Sequence, residues 1–386
     1  MKIGLVLPSI PGYSETFILS KINILLNQGN EVSIFVNHYG ESRSLQTQIP
    51  IYIQPNISRK YLLPFYLLYL LIKFPFRVIK FIQFERLSRI KWLLIIKHLI
   101  INYHILNKEL DWLHFVYATI GIGRENVSRA IGAKSSVSFR GFDIGLYPHK
   151  HPNCYKLLWE NIDKVHTISD DLYQSALELG LDPKTPVQKI NPAIDTQFFK
   201  YKNNKSLHQP LRILTVGRLT WKKGYEYALK ALSLLKDKKI NFEYNIIGEG
   251  NHREAIIYAI HQLGITEHVK LKGQLSHEEV KKEMEWADIY IQPSIQEGFC
   301  NAVLEAQAMG LICIVTDAEG LSENVDHEHS GWVLPKRSYE VIADTITKIL
   351  SMDNNSLDLI RKEAVNRVNN KFNIMQQSML YKNFYI

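Results

Sequence analysis

The chain opens with a candidate strand, residues 2–7, apolar after Lys2 and closed by Pro8. It is too short for a helix and has no polar interruption, the pattern of a strand buried on both faces. Residues 15–28 then carry apolar side chains at Phe17, Ile18, Ile22, Leu25 and Leu26, a helical period that stops at Gly29-Asn30. Residues 32–36 read as a second strand. Strand, amphipathic helix and strand make the β-α-β unit from which parallel sheets with helices on both faces are built. Further short strands are expected at 112–117, 135–140 and 164–168, and Ser169 caps a helix that runs to Leu179, with Gly180 just past its end. The rhythm restarts at Leu211 with a strand at 212–216, a helix at 225–235, a strand at 244–247 and a helix at 253–263. Strands at 268–272, 288–292, 312–316 and 332–334 follow.

Two such series predict an α/β chain of two tandem Rossmann-like, doubly wound domains facing each other across a cleft, where ligand chemistry belongs. At 386 residues the chain exceeds one compact core. The polar, proline-ended stretch 201–210 reads as the linker. The division expected is 1–200, with a basic apolar insertion at 59–108, then 211–365. Residues 366–386 are expected to form a helix returning to the first domain.

Composition narrows the setting. Hydrophobic residues make up 46% and charged residues 22%, as in an ordered globular protein. Cys154, Cys300 and Cys313 are odd in number and far apart, which argues against a disulfide framework or a zinc site and for a reducing compartment. One basic residue and a short apolar run at the start do not make an export signal, so a cytoplasmic location is expected. The net charge of +8 points to an anionic partner. It is concentrated: residues 59–108 hold ten Lys/Arg and one acid, Glu85.

Two constellations carry candidate chemistry. Val216-Gly-Arg-Leu-Thr-Trp-Lys-Lys-Gly224 follows a strand and precedes a helix, so Arg218 and Lys223 can converge beside a helix N-terminus as a pyrophosphate requires. The alternative is two solvated surface cations. The second is Glu297-Gly-Phe-Cys-Asn-Ala-Val-Leu-Glu305, a loop running into a helix. Its two carboxylates suit polyol ligands, and the N–H groups of Phe299, Cys300 and Asn301 at the helix start are candidates for phosphate or sugar oxygens. Alternatively Glu297 solvates a loop and Glu305 pairs on a helix surface, although Ala302, Val303, Ala306 and Met309 place most of this helix in the core and leave Glu305 needing a partner.

With these residues the chain resembles the retaining glycosyltransferases of family four, of GT-B architecture, over nearly its whole length and most strongly from 211 to 335. Gly-Arg-Leu-x-x-x-Lys-Gly is similar to that family's diphosphate loop, which implies that Arg218 and Lys223 hold the leaving nucleoside diphosphate. Glu297-x7-Glu305 is similar to its carboxylate pair, implying that Glu297, with Gly298 beside it, serves the donor hexose and Glu305 the ribose. Ile246-Ile-Gly-Glu-Gly250, Lys272-Gly-Gln-Leu-Ser276 and Gly310-Leu-Ile-Cys-Ile-Val-Thr316 match in order and spacing. Pro8-Ser-Ile-Pro-Gly-Tyr-Ser-Glu-Thr-Phe-Ile18 is similar to the branch that builds bacterial surface polysaccharides, and Gly12 there would let backbone approach the donor. In Ser138-Phe-Arg-Gly-Phe-Asp-Ile144, Arg140 stands where relatives usually have a histidine near the anomeric centre. An arginine there supports a phosphate or an anionic acceptor but shuttles no proton at neutral pH. Asp143 either orients Arg140 or caps the next turn. The resemblance makes 1–200 the acceptor-side domain and 211–365 the nucleotide-sugar domain. It implies hexose transfer from a nucleotide-sugar to a lipid-linked or polysaccharide acceptor, with retention, Glu297 and Arg140 at the reacting centre, and neither metal nor other cofactor. Other readings of the same residues are a catalytically impaired GT-B scaffold at the membrane, and a GT-B sugar-phosphate enzyme such as an epimerase. A dehydrogenase is disfavoured because no Gly-x-Gly-x-x-Gly follows the first strand.

The basic stretch adds a partner. Residues 61–72 are uncharged and interrupted by Pro64, too short to span a bilayer. Lys73, Arg77, Lys80 and Lys91 then recur on one helical face beside Phe74, Val78, Phe81 and Ile82, as in a segment that lies on an anionic leaflet, here the inner face of the cell membrane. The alternative is a helical hairpin folded over the first sheet with solvated lysines. No recognised nucleic-acid module accompanies the charge, so nucleic acid is not expected.

Overall fold

The structure is a computed structural model that describes residues 1–11, 16–39, 49–56, 58–201 and 206–386. Gly12 lies outside the described residues. The chain divides into two compact units, Met1–Ile190 with Ser378–Ile386, and Asn191–Gln377.

Among the described residues the first unit holds seven strands: β1 (Lys2–Ser9), β2 (Glu31–His38), β3 (Ile51–Ile53), β4 (Trp112–Phe115), β5 (Lys134–Ser138), β6 (Lys164–Thr167) and β7 (Val187–Lys189). They pair in parallel in the order 3-2-1-4-5-6-7. Ile3 stands beside Val32 and Leu7 beside Val36, so the first apolar run lies mid-sheet, buried on both faces as its lack of alternation requires. The three-residue edge strands β3 and β7 were not expected. Ile51, Tyr52 and Ile53 are each half-buried, and so short a segment has no period to read.

The second unit contains β8 (Leu211–Val216), β9 (Phe242–Ile247), β10 (Val269–Gly273), β11 (Ile289–Gln292), β12 (Ile312–Thr316) and β13 (Trp332–Leu334), all parallel, in the order 10-9-8-11-12-13. Strand order reverses between β8 and β11. The loops leaving these neighbours run to opposite faces, which opens a crevice at their carboxyl ends.

The boundary between the units falls at Ile190 rather than in the polar stretch near 201–210. Exposure marks a segment as polar, but contacts decide its allegiance. The Ile194 N–H donates to Phe372 O at 3.0 Å, and the Tyr201 ring lies against Gly310. Likewise the helix Asn354–Lys371 packs on Asn301–Ala308 in the second unit. Of the C-terminal segment, residues 378–386 belong to the first unit, where Tyr381, Phe384 and Tyr385 are buried.

Between β3 and β4 the chain forms the helices Leu63–Lys73, Pro75–Leu87 and Trp92–Ile101. Pro64 and Pro75 sit in first turns, where the missing N–H leaves no helix bond unmade. Leu70, Val78, Phe81, Ile95 and Leu99 are buried, so one face of each helix is committed to the fold. Arg77 does not share the outward face of Lys73 and Lys80. Its guanidinium donates to the carbonyls of Leu106 and Lys108 at 3.1 and 2.8 Å, satisfying the bare end of the short helix Tyr103–Leu106. Lys73 and Lys80 are exposed.

The loop after β8 meets the loop after β11 at backbone distance. The Ile295 N–H donates to Lys222 O at 2.6 Å. Gly224 has φ +60, and a Cβ there would stand 2.2 Å from Pro293 O. No side chain fits so close an approach, and the left-handed backbone adds its own cost for any L-residue. Gly224→Ala is therefore expected to lower unfolding stability by about 1–3 kcal/mol. Thermal and urea melts check this, and a melting temperature equal to the parent's would show that the loops do not depend on this contact.

Candidate active site

The crevice of the second unit is built from the two loops that diverge at the strand reversal. The first leaves β8 at Gly217, whose carbonyl accepts from the Tyr225 hydroxyl at 2.8 Å. A 3₁₀ turn, Trp221–Lys223, then feeds the helix Tyr225–Asp237. Arg218 is exposed, and its charge reaches both Lys222 and Lys223. The Lys223 Nζ lies 2.5 Å from Glu297 Oε2. Burial alone would lower the Lys223 pKa. The Glu297 carboxylate more than offsets this, and the ammonium is held above its ordinary value.

Glu297 arrives from β11 along a chain of buried polar side chains. The Tyr290 hydroxyl lies 3.0 Å from Gln292 Oε1, Gln292 Nε2 donates to Ser294 Oγ at 2.8 Å, and Ser294 Oγ reaches Glu297 Oε2 at 3.4 Å. Tyr290 also ties β11 back to β8 by donating to Val216 O at 3.1 Å. The carboxylate is thus supported from both strands, and Lys223 and Glu297, 74 residues apart, meet as one ion pair.

The helix Asn301–Ala308 begins directly after this loop. Gly298 and Phe299 are buried, the latter with its ring 5.7 Å from Phe372. The Cys300 N–H is not open to a ligand: it donates to Asn324 Oδ1 at 3.1 Å, while Asn324 Nδ2 returns a bond to Cys300 O at 2.9 Å. The Asn324 amide closes the helix start from outside, and burial pushes the Cys300 thiol up to about 11. Asn301, the first helical residue, is half-buried. Glu305 lies one turn further in, near enough to Cys300 to bear on its thiol. It is half-buried, with no ion pair among the described residues, and burial raises its carboxyl to about 7. A carboxyl that is largely desolvated but still reachable suits a neutral polyol ligand better than a cation.

In the first unit, β5 ends at Ser138 and Arg140 stands at the start of the short helix Gly141–Gly145. Its guanidinium lies over the Phe17 ring at 3.8 Å. Of the two roles open to Asp143 the structure shows the cap: Oδ1 accepts the Arg140 N–H at 2.7 Å and Oδ2 the Ala118 N–H at 2.8 Å. Burial raises this carboxyl to about 7 against those bonds. Lys21, which the sequence reading did not single out, is only 2% exposed. Its Nζ lies 2.8 Å from His114 Nε2, and burial, then the charge of Arg140, hold its pKa well below the ordinary lysine value.

Comparison with known proteins bears on this geometry. Residues 196–366, which include both crevice loops, match the family model "Glycosyl transferases group 1". That segment of the chain is thus similar to the group 1 glycosyltransferases. It is 31% identical over 252 residues to the amylovoran biosynthesis glycosyltransferase AmsK of Erwinia amylovora, which covers 62% of this chain and 61% of that one. It is 24% identical over 230 residues to a UDP-Gal:alpha-D-GlcNAc-diphosphoundecaprenol alpha-1,3-galactosyltransferase of Escherichia coli, 58% of each chain. The chain thus spans about three fifths of the length of these curated relatives. Anabaena HepE, solved in complex with UDP, superposes with a TM-score of 0.74 at 14% identity, over 99% of both chains. That likeness confirms the two-domain Rossmann-like fold.

The second unit thus brings Lys223 and Glu297 into direct contact, with Arg218 in electrostatic reach. Gln292, Ser294 and Asn324 were missed. No motif marks them, and each acts only through a partner distant in sequence or on the same strand. The Glu305 carboxyl generates a prediction. Its folded value of about 7 exceeds the ordinary 4.5, so the folded chain keeps a proton that the unfolded chain releases. The stability this proton confers is full below the ordinary value and is lost as pH rises through the folded one. Glu305→Gln should therefore melt progressively higher than the parent from pH 5 to pH 8, the gap growing by about 1–2 kcal/mol. Scanning calorimetry across that range checks it, and a pH-independent difference would refute the buried-proton assignment.

Proposed function

We propose that the chain transfers a hexose from a nucleotide-sugar to a lipid-linked or polysaccharide acceptor in surface glycan synthesis, with retention at the anomeric carbon and without a metal ion or other cofactor. The observation that carries the reading is the Lys223–Glu297 ion pair at the strand reversal of the second unit, with Arg218 beside it and the Glu305 carboxyl free of any ion pair among the described residues. As the bond from the anomeric carbon to the diphosphate breaks, negative charge grows on the departing oxygens. Arg218 and Lys223 supply two cations at that point, the role a divalent ion serves elsewhere. Glu297 fixes Lys223 before the donor arrives and turns its remaining lone pairs to the hexose hydroxyls. Glu305 accepts from the ribose diol. Phe299 and Gly298 shape the wall, and Asn301 offers its side chain at the rim.

On the first unit Arg140 presents a permanent cation. An anionic acceptor, such as a sugar carried on a lipid diphosphate, suits it better than a neutral one. Two similar proteins support this reading, since one is an amylovoran biosynthesis glycosyltransferase and another acts on a diphosphoundecaprenol-linked sugar. Such an acceptor places the reaction at the anionic inner surface of the cell membrane, and among the described residues no helix is long and apolar enough to cross one.

Titration calorimetry with UDP and GDP tests the donor site. Lys223→Ala should weaken whichever binds by at least about tenfold, since a charge-assisted bond to phosphate is lost. Unchanged affinity would remove the assignment. Arg140→His adds a second test: turnover with a lipid-diphosphate acceptor should fall while nucleotide affinity stays level, and a rise in turnover would mean that the arginine impairs the site.

A further inference from the structure

Glu85 is the single acid among residues 59–108, and it is fully buried. One carboxylate oxygen lies 2.7 Å from His98 Nδ1 and the other accepts from Asn126 Nδ2 at 3.0 Å. The outward faces of the helices Leu63–Lys73, Pro75–Leu87 and Trp92–Ile101 are therefore free of acidic side chains. Their apolar content is just as one-sided. Thirteen of the 27 exposed large hydrophobic side chains among the described residues fall between Tyr61 and Ile96. Phe76 is 79% and Leu93 83% exposed, values at which a large apolar side chain gains nothing from the protein's own fold.

The exposed positions form stripes. Along Pro75–Leu87 they are residues 76, 79, 80, 83, 86 and 87, an i, i+3, i+4, i+7 series in which apolar side chains alternate with Lys80 and Arg86. The Arg86 guanidinium stacks on the exposed Trp92 ring at 4.9 Å, and Lys91 and Lys97 stand open to either side. Phe65 and Ile72 continue the pattern on the first helix, which ends at the exposed Lys73. The opposite faces are already occupied by Leu70, Val78, Phe81, Ile95 and Leu99. The longest of the three helices has 13 residues, about 20 Å of rise, too short to cross a bilayer and long enough to lie in its surface.

We propose that these three helices seat the protein in one leaflet of an anionic membrane, sinking Phe65, Phe76 and Leu93 into the acyl boundary while Lys73, Lys80 and Lys97 hold anionic headgroups. Charge selects this occupant. A second copy of the chain joined through the same face would set lysine against lysine with no acid between them, whereas an anionic leaflet supplies the opposite sign everywhere along the stripe. Insertion, rather than contact of charges alone, follows from large apolar side chains as exposed as Phe76 and Leu93. The inference deepens the membrane-borne acceptor proposed above and takes its purpose from that reading. The surface itself owes nothing to the donor site.

The test uses the full chain with vesicles of phosphatidylcholine, with and without phosphatidylglycerol. The protein should sediment with the anionic vesicles and stay partly bound at about 0.5 M salt, where contact of charges alone is screened. The double variant Phe76→Ser/Leu93→Ser should lose at least about tenfold in partitioning while its circular dichroism and its thermal stabilisation by UDP or GDP are unchanged. Partitioning equal to the parent's, or equal binding to neutral vesicles, would overturn the proposal. So would a concentration-dependent dimer that the double variant dissolves and anionic vesicles leave intact. If nucleotides stabilise neither protein but vesicle binding stands, the donor reading fails and the docking surface survives.

Discussion

Burial of Lys223 works against its charged form, and the carboxylate of Glu297 more than offsets this and keeps the ammonium. Much of the second unit serves to make that meeting possible. The parallel order with its reversal between β8 and β11 sends two loops apart at one edge, and Gly224 then lets them touch again through backbone. A hydrogen-bonded file from Tyr290 to Ser294 brings the acid up from beneath, while Tyr225 braces the turn that carries the lysine. A pair so held is ordered before any ligand arrives, so little conformational entropy remains to be lost on binding.

The first unit solves a different problem. It buries two histidines and a lysine together beneath the end of its sheet, with Arg140 laid over an aromatic ring above them. Burial on this scale favours the neutral forms of Lys21, His114 and His166, so the field at this end of the sheet comes mainly from the one group that cannot give up its proton, the guanidinium. Arg140, where the family resemblance leads one to expect a histidine, thus sets a fixed charge in place of a titratable group.

Much of this was legible in the sequence because the signals were local. Short apolar runs at 3–7, 289–291 and 312–315 read as buried parallel strands, and glycines after helices mark the stops. Lys223 and Glu297 were each legible because each sits in a recognisable loop at a strand end, but their pairing was not expected. What escaped was non-local or inverted. Asn324 takes the N–H of Cys300, which a helix start otherwise leaves without an intrahelical partner. Arg77 has the spacing of a surface residue and turns inward to finish another helix. The two edge strands are three residues long, below the length at which any period appears. The segment near 201–210 has linker composition, yet the boundary precedes it, because contacts such as Tyr201 on Gly310 are invisible to composition.

The Glu305 carboxyl, held by burial at about 7, bears on the energetics of recognition. A diol donates its hydrogens, so it binds best to the ionised acid, and a site whose acid titrates near 7 must give up a proton to engage it. In the proposed donor complex, association would then be coupled to proton release into the surroundings. The heat of binding would vary with the ionisation enthalpy of the buffer, and affinity would climb as the medium is made more alkaline up to neutrality and then level off. A donor site built this way would bind more tightly in a neutral medium than in an acidified one, and the desolvation of one half-buried glutamate would be the whole of the sensor.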